Sequence, residues 1–187
     1  QIPTYLVSQM ARQQVTVALS GDGGDELFGG YNPYQLVPRV WQGLGWVPAP
    51  VRKVLQSALA PLPLPAKLAK LREVMAARTP QELYRQVLSH WPSPEGLVLG
   101  ADEPVTLLNT PEAWPAVDSL EHWMMAMDAQ TYMVDDVLTK VDRAAMANSL
   151  ETRVPLLDHR VVELAWRMPL NMKIRNGQGK WVLQQVL

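Results

Sequence analysis

A loop dense in glycine follows a short apolar segment near the start of the chain. Residues 15–19 are apolar apart from Thr16 and rich in β-branched side chains, which predicts a buried strand of a parallel sheet. Residues 20–30 (SGDGGDELFGG) contain five glycines. The residues before the strand, 4–14, place apolar side chains at helical spacing. Helix, strand and glycine loop together predict one unit of an open α/β sheet, whose ligands lie at the carboxyl ends of the strands.

The glycine loop also carries three carboxylates, Asp22, Asp25 and Glu26, and no basic residue. Glycines let backbone N–H groups approach a ligand closely. Three neighbouring carboxylates repel one another unless a cation lies between them. A magnesium–nucleotide complex satisfies both features, because one or two carboxylates hold the ion and phosphate oxygens complete its shell. The loop therefore predicts a site for such a complex.

Two other loop motifs are excluded, and one structural explanation stays open. The dinucleotide fingerprint needs a third glycine where this chain has Glu26. The spacing of Asp22 and Asp25 does not fit a calcium-binding loop. The structural alternative is a tight turn, with Asp25 and Glu26 favoured at the start of a helix by the helix dipole.

A basic segment lies close to the end of the sequence. Residues 171–180 contain Lys173, Arg175 and Lys180, no acid, and two glycines that predict a flexible loop. A lysine at the mouth of a helix can neutralise charge that develops on a transferring phosphoryl or acyl-phosphate centre. The alternative is a solvated, charged loop without a functional role.

The middle of the chain predicts a helical insertion. Residues 33–115 hold 13 of the 16 prolines and are too apolar for a disordered linker. One helix is predicted over 66–77, and a capping box at Thr79–Glu82, with proline in the first helical position, predicts another from 80 to about 91. Residues 119–150 predict two helices or one bent helix. We therefore divide the chain into residues 1–32, 33–118 and 119–187.

Charged residues beyond position 135 favour structural roles. Asp136 and Lys140 stand four apart on a predicted helix with the acid first, the favourable order for an ion pair. Arg153 could contact an anionic group, although an ion pair with Glu151 or Asp158 fits better. No metal cluster or catalytic triad is predicted for the three histidines, His90, His122 and His159.

Composition excludes several classes of protein. The sequence contains no Cys, which removes disulfide scaffolds, thiolate zinc sites and cysteine nucleophiles from these residues. A formal net charge of -1 argues against a surface built for nucleic acid or anionic lipid. No apolar run approaches the ~20 residues that span a bilayer. We expect no nucleic-acid partner, no membrane partner and a cytoplasmic location.

Four segments together resemble the synthetase domain of glutamine-hydrolysing asparagine synthetases. Residues 20–31 (SGDGGDELFGGY) are similar to the acidic glycine motif of that family. Residues 135–143 (DDVLTKVDR), 151–159 (ETRVPLLDH) and 179–183 (GKWVL) look like the later motifs of the same domain, in the same order. These motifs lie at the two ends of the chain, and the proline-rich middle adds little motif information.

The resemblance implies an α/β fold of the adenine-nucleotide α-hydrolase (ATP pyrophosphatase) type, a parallel sheet with a large, mostly helical remainder. ATP and Mg²⁺ would activate the side-chain carboxylate of aspartate as an acyl-adenylate, with release of pyrophosphate. Ammonia derived from glutamine, released in a glutaminase domain of the same full-length chain, would then attack and give asparagine. We also expect the protein to be able to form a homodimer.

The resemblance also implies roles for individual residues. Four residues would lie against ATP: Ser20, Gly21, Gly23 and Gly24. Asp25 would help hold magnesium. Asp22 would occupy the acidic position tied to forming or using the adenylate, where many family members have glutamate. Lys180 would stabilise charge on the α-phosphate, which agrees with the interpretation of the basic segment.

The sequence departs from the family in two segments, and two alternative functions stay open. The first pyrophosphate-binding loop, of Ser-Gly-Gly-Leu-Asp-Ser type, and the cysteine-bearing glutaminase domain are not in these residues, which begin at Gln1. We therefore expect a fragment that folds in part and catalyses little alone. One alternative is an amidotransferase or β-lactam-synthetase-like enzyme that acts on another carboxylate. The other is a non-catalytic helical interaction domain with a decayed nucleotide loop.

Overall fold

The computed structural model describes residues 1–63, 65–89, 96, 98, 100 and 104–186. The chain is mixed α/β and mostly helical, with a two-stranded parallel sheet. It divides into two compact units, the first formed by residues 1–31 and 125–187 and the second by residues 32–124. Among the described residues, no helix has the length and apolar content needed to cross a membrane.

The helices and strands follow in this order: α1 (Ile2–Arg12), β1 (Val17–Leu19), α2 (Gly24–Phe28), α3 (Pro33–Leu44), α4 (Ala49–Leu59), α5 (Ala66–Val74), α6 (Pro80–Leu88), α7 (Leu120–Gln130), α8 (Thr139–Met146), β2 (Glu151–Arg153), α9 (His159–Arg167), α10 (Leu170–Lys173) and α11 (Trp181–Val186). Short 3₁₀ turns span Leu107–Asn109, Pro111–Ala113 and Pro155–Leu157. A π-helical segment spans Met133–Leu138.

The sheet of the first unit joins residues from opposite ends of the chain. β1 pairs in parallel with β2, and Leu19 stands beside Arg153. The predicted strand therefore forms, but the prediction that it is buried is wrong: Leu19 is 75% exposed and Val17 is also exposed. The reason is that β2 is the only strand beside β1 within the described residues, and the face that carries Val17 and Leu19 stays open to solvent.

The first unit is packed around α2 and α9. Leu27, Phe28 and Ala165 are buried at its centre. The side chains packed against them come from the 3₁₀ turn after β2 and from the last helices: Leu156, Leu157, Val161, Val162, Trp166, Met168, Val182 and Leu183. This packing fixes α2, and with it the glycine loop, against the C-terminal helices.

The helical stretch predicted over 119–150 is interrupted by the π-helical segment. α7 precedes this segment and α8 follows it, and the Thr139 hydroxyl donates to the carbonyl of Val134, five residues earlier, at 3.0 Å. The wider turn changes which side chains are neighbours. Within the described residues Asp136 makes no ion pair with Lys140, and its carboxylate instead lies close enough to Tyr132 to raise the pKa of that hydroxyl.

The second unit is helical, as predicted for this part of the chain. Its core contains side chains of α3 and α6 that are wholly buried: Tyr34, Val37, Leu83 and Tyr84. The predicted start of α6 is confirmed, because Thr79 Oγ1 accepts a hydrogen bond from the Glu82 backbone N–H at 3.1 Å. The helix ends at Leu88, whereas its predicted end near Trp91 and the predicted helical residue His90 lie outside the described residues.

A buried arginine joins the helices of the second unit. The Arg52 side chain is 3% exposed and donates hydrogen bonds to the carbonyls of Val47 at 2.9 Å, Met75 at 3.3 Å and Ala77 at 2.5 Å. Its guanidinium also lies 5.3 Å from the ring centre of Trp41. Carbonyls at the end of a helix have no partner within the helix, so Arg52 satisfies those at the end of α5.

Candidate functional site

The glycine loop leaves the sheet at the carboxyl end of β1. The Ser20 backbone N–H donates to the Arg153 carbonyl at 2.8 Å, which continues the strand pairing by one residue. Gly23 has a φ of 80°, and a Cβ added there would overlap Leu157. A residue without a Cβ is therefore needed to turn the chain into α2. At Gly21 an added Cβ would meet no atom within 4 Å, so this part of the loop adjoins open space.

Two of the three loop carboxylates contact side chains that were assigned from the sequence to the same nucleotide site. The Ser20 hydroxyl donates to Asp22 Oδ2. Asp25 Oδ1 lies 2.8 Å from Nζ of Lys180, which brings the acidic loop and the basic segment together. These protein side chains relieve the repulsion that was expected among the carboxylates. A metal ion is therefore not needed to hold the acidic loop together.

The Asp25–Lys180 pair depends on close approach of two backbone segments. The Lys180 backbone N–H donates to the Phe28 carbonyl at 2.9 Å. At Gly30 an added Cβ would overlap both the Asp25 carboxylate and the Lys180 side chain. Both charged side chains are about one-third exposed, so the pair faces solvent and can be reached by a ligand. Gly24 lies beside it, since a Cβ there would stand 4.0 Å from Nζ of Lys180.

The third carboxylate, Glu26, is buried at one end of a partly exposed network that was not predicted from the sequence. Glu26 is buried and its Oε1 accepts a hydrogen bond from the Tyr31 hydroxyl at 2.8 Å. The Tyr31 ring meets Tyr132 edge-on, with ring centres 5.9 Å apart. Burial and the bond to Glu26 raise the pKa of Tyr31, while burial and Asp136 raise the pKa of Tyr132. Both hydroxyls therefore stay protonated donors at neutral pH.

Sequence spacing offered no signal for this network. Glu26 and Tyr31 stand five residues apart, which does not bring side chains together on a regular α-helix. They meet because α2 ends at Gly29, whose φ of 70° reverses the chain toward Tyr31. The hydrogen bond between Tyr31 and Glu26 fixes the position of α2, and thereby the position of the glycine loop that precedes it.

The basic segment differs from the flexible loop that was predicted. Lys173 ends α10 and is wholly buried, and the Arg175 and Gln178 backbones exchange two hydrogen bonds of 2.9 Å that close a tight turn. Lys173 Nζ has no hydrogen-bond partner within the described part of the chain, and it lies 4.7 Å from the ring centre of Trp166. Of the lysines in this segment, only Lys180 is placed to meet a ligand.

Burial lowers the pKa of Lys173 to about 8 from its ordinary value of 10.5. Between these two pH values the unfolded lysine stays protonated while the folded one does not, so stability should rise with pH across this window. We expect wild type to gain up to about 3 kcal/mol relative to Lys173→Met between pH 7 and pH 10. Hydrogen exchange of the α9–α11 amides in the full-length protein, corrected for intrinsic rates, measures this difference. An equal pH dependence in the two proteins would contradict it.

The remaining candidates have structural partners. Arg153 Nε lies 2.7 Å from Glu151 Oε1, which confirms the ion pair favoured by the sequence. His159 lies 3.8 Å from Asp158 and is exposed. Within the residues that the structure describes, no group of three or more His, Cys, Asp or Glu side chains is arranged to hold a metal ion. Asp25 could still supply one ligand, since magnesium often takes one or two protein carboxylates and completes its shell with phosphate and water.

Comparison with known proteins identifies close relatives of the whole chain. Residues 1–187 match the family described as asparagine synthase. The chain is 34% identical to asparagine synthetase (glutamine-hydrolyzing) 1 of Bacillus subtilis, over 98% of its own length and 30% of the relative. It is 32% identical to a putative asparagine synthetase (glutamine-hydrolyzing) of Mycobacterium bovis, over its full length and 29% of the relative. The chain thus spans about three-tenths of the length of these relatives, and no solved structure matches it significantly.

Proposed function

The chain belongs to the asparagine synthase family, and on this basis we propose that it is part of an ATP-dependent synthetase that forms asparagine. The observation that carries the proposal is the Asp25–Lys180 pair, which stands at the carboxyl edge of the parallel strands and is open to solvent. Ligands of open α/β sheets bind at this edge. We propose further that β1 and β2 belong to a larger sheet of the adenine-nucleotide α-hydrolase type.

In the proposed reaction, a carboxylate oxygen of aspartate attacks the α-phosphorus of ATP and pyrophosphate leaves. Ammonia from glutamine then attacks the acyl carbon, loses a proton and displaces AMP. A fixed cation lowers the energy of the charge that develops in the first step. Two contacts support the assignment of this role to Lys180, since its backbone N–H donates to Phe28 and its ammonium pairs with Asp25.

The other loop residues would bind and orient the nucleotide. Gly21 adjoins open space, so its backbone is the part of the loop that phosphate could approach most closely. Ser20 holds Asp22 at the start of the loop, where Asp22 would act in forming or using the adenylate. Gly23 and Gly24 set the turn into α2 that carries Asp25. We propose Asp25 as the protein ligand for magnesium, which would neutralise phosphate charge.

The substrate assignment is tested by pyrophosphate release from the full-length protein, with aspartate compared against other carboxylates. We expect aspartate to give the fastest turnover with glutamine or ammonia as nitrogen donor, since the relatives are named for asparagine formation. Turnover with another acid and none with aspartate would instead support an amidotransferase or β-lactam-synthetase-like enzyme.

The nucleotide site itself is tested by Asp25→Asn in the full-length protein. The variant loses a negative ligand for magnesium but also releases Lys180, so we expect Mg-ATP binding to weaken roughly tenfold while metal-free ATP binding does not weaken. Titration calorimetry with and without magnesium measures both. Glu163→Gln, which removes a surface acid paired with Arg167, serves as control. Equal, metal-independent affinity in all three proteins would favour a non-catalytic interaction domain.

A further inference from the structure

Lys180 has a backbone conformation that is unfavourable for its residue type. Its φ is 54°, in the left-handed region where the Cβ of an L-residue comes too close to the following carbonyl oxygen. Asn176 and Gly177 also have positive φ, but they are the central residues of the tight turn over 175–178, where asparagine and glycine are the preferred residues. Lysine has no such preference. A strained residue persists only where its surroundings hold it, and such residues cluster at functional sites.

The peptide that joins Gly179 to Lys180 is held at both of its polar groups. Its N–H, which belongs to Lys180, donates to the Phe28 carbonyl at 2.9 Å. Its carbonyl, which belongs to Gly179, accepts a hydrogen bond from Nε2 of Gln184 at 3.2 Å. The Gln184 amide is itself oriented, because its Oε1 accepts a hydrogen bond from Nε2 of Gln178. The peptide therefore cannot turn over without losing two hydrogen bonds.

The absence of a side chain at Gly179 lets this peptide approach the acidic loop. A Cβ added at Gly179 would overlap the Gly29 carbonyl oxygen and stand 3.1 Å from Cα of Gly30. Gly30 in turn adjoins the Asp25–Lys180 pair. The atoms that a Cβ would meet belong to the backbone, which cannot move aside as a flexible side chain can. A larger residue at position 179 would therefore push the two segments apart.

The fixed peptide and the left-handed φ together set the direction of the Lys180 side chain. A return of φ to the ordinary helical value of about -63° would rotate the side chain about the N–Cα bond by roughly 120°. A rotation of this size would carry Nζ away from Asp25, whose Oδ1 it meets at 2.8 Å. The left-handed backbone is thus part of what brings the ammonium to the acidic loop.

We propose that Gly179 and Gln184 are positioning residues that hold Lys180 in its left-handed conformation and thereby direct its ammonium to the reacting phosphate. Gly179 acts by permitting contact with the backbone of Gly29 and Gly30. Gln184 acts by fixing the carbonyl of the peptide before Lys180. Both act through Lys180 and not on the substrate. The inference rests on the role proposed above for Lys180, and it explains why an unfavourable backbone conformation is kept at this position.

Aspartate-dependent pyrophosphate exchange in the full-length protein tests the two residues. Gly179→Ala should slow exchange by a factor of about 10², the cost of displacing a reacting group by about 1 Å. Gln184→Met removes one hydrogen bond from an exposed residue and should slow exchange about fivefold. Calorimetric ATP affinity should stay within about twofold of wild type in both variants, which shows that the site is folded. Gln185→Met, an exposed neighbour on α11, is the matched control and should exchange as wild type.

A second set of variants shows whether the two residues act through Lys180. A residue that acts through another side chain has no effect once that side chain is removed. Lys180→Ala combined with Gly179→Ala or with Gln184→Met should therefore exchange no more slowly than Lys180→Ala alone. Fully additive losses would overturn the positioning roles and leave the proposed function intact. An exchange rate that Lys180→Ala leaves unchanged would instead remove the role proposed for Lys180, and the positioning roles with it.

The left-handed backbone is tested independently of catalysis by glycine and alanine at position 180. Both residues lack the ammonium, but glycine adopts positive φ without strain, so the α11 amides should exchange about fivefold more slowly in Lys180→Gly than in Lys180→Ala. At Gln185, within α11, the order should be reversed, because alanine is the better helix former. Greater protection by alanine at both positions would overturn the proposal.

Discussion

Replacing Lys180 with alanine should slow adenylate formation by a factor of about 10²–10³ while ATP binds nearly as well as before. The ammonium stands at the open edge of the sheet, where it would meet charge that grows on the α-phosphate only as the reaction proceeds. Its loss should therefore affect the transition state more than the bound substrate. Aspartate-dependent pyrophosphate exchange and calorimetric ATP titration of the full-length protein separate the two quantities.

Arg175→Ala is the matched control for Lys180→Ala. Arg175 belongs to the same basic segment, but its guanidinium stacks over Trp181 at 4.7 Å and makes no contact with the acidic loop that the structure describes. Removal of this charge should leave the exchange rate within a factor of about three of wild type. An exchange rate unchanged by Lys180→Ala would remove this lysine from the mechanism, whereas an equal loss in both variants would point to a general effect of positive charge.

Replacing Arg52 with methionine should destabilise the second unit by about 3 kcal/mol. The change keeps an unbranched, apolar stem but removes the donors that Arg52 gives to the carbonyls of Val47, Met75 and Ala77. The Ala77 carbonyl would stay buried without this donor, which costs more than the hydrogen bond itself. Hydrogen exchange of the α4 and α5 amides in the full-length protein measures the local opening free energy.

Lys53→Met tests whether this effect belongs to Arg52 or to loss of charge on α4. Lys53 is the next residue along the helix and is exposed, so its replacement should change the opening free energy by less than about 0.5 kcal/mol. A comparable loss in both variants, or none in Arg52→Met, would show that the carbonyl contacts do not hold the unit together.

Local signals predicted the parts of the fold that depend on neighbouring residues. The capping box at Thr79 sets the start of α6, and the apolar segment before the glycine loop forms β1. The sequence assigned Asp25 and Lys180 to the same nucleotide site through its resemblance to a family, but the contact between them was not predicted. No local pattern fixes a distance between opposite ends of a chain.

The errors arose where tertiary contacts override local preference. The sequence pattern around Lys173 is typical of a solvated, charged loop. In the structure α10 places this lysine in the interior, against the ring of Trp166. The predicted pairing of Asp136 with Lys140 requires a regular α-helix. A π-helical segment spans Met133–Leu138 instead, so residues four apart no longer lie side by side.

The hydrogen bond from the Lys180 backbone to Phe28 has a practical consequence for engineering. It couples α11 to the turn that follows the acidic loop, so displacing one without the other breaks this bond. A fusion, cleavage site or affinity tag inserted between Ile174 and Lys180 would move Lys180. It would therefore disturb the Asp25–Lys180 pair as much as a substitution within residues 20–30. Insertions intended to be silent belong on a surface that shares no backbone contact with that turn.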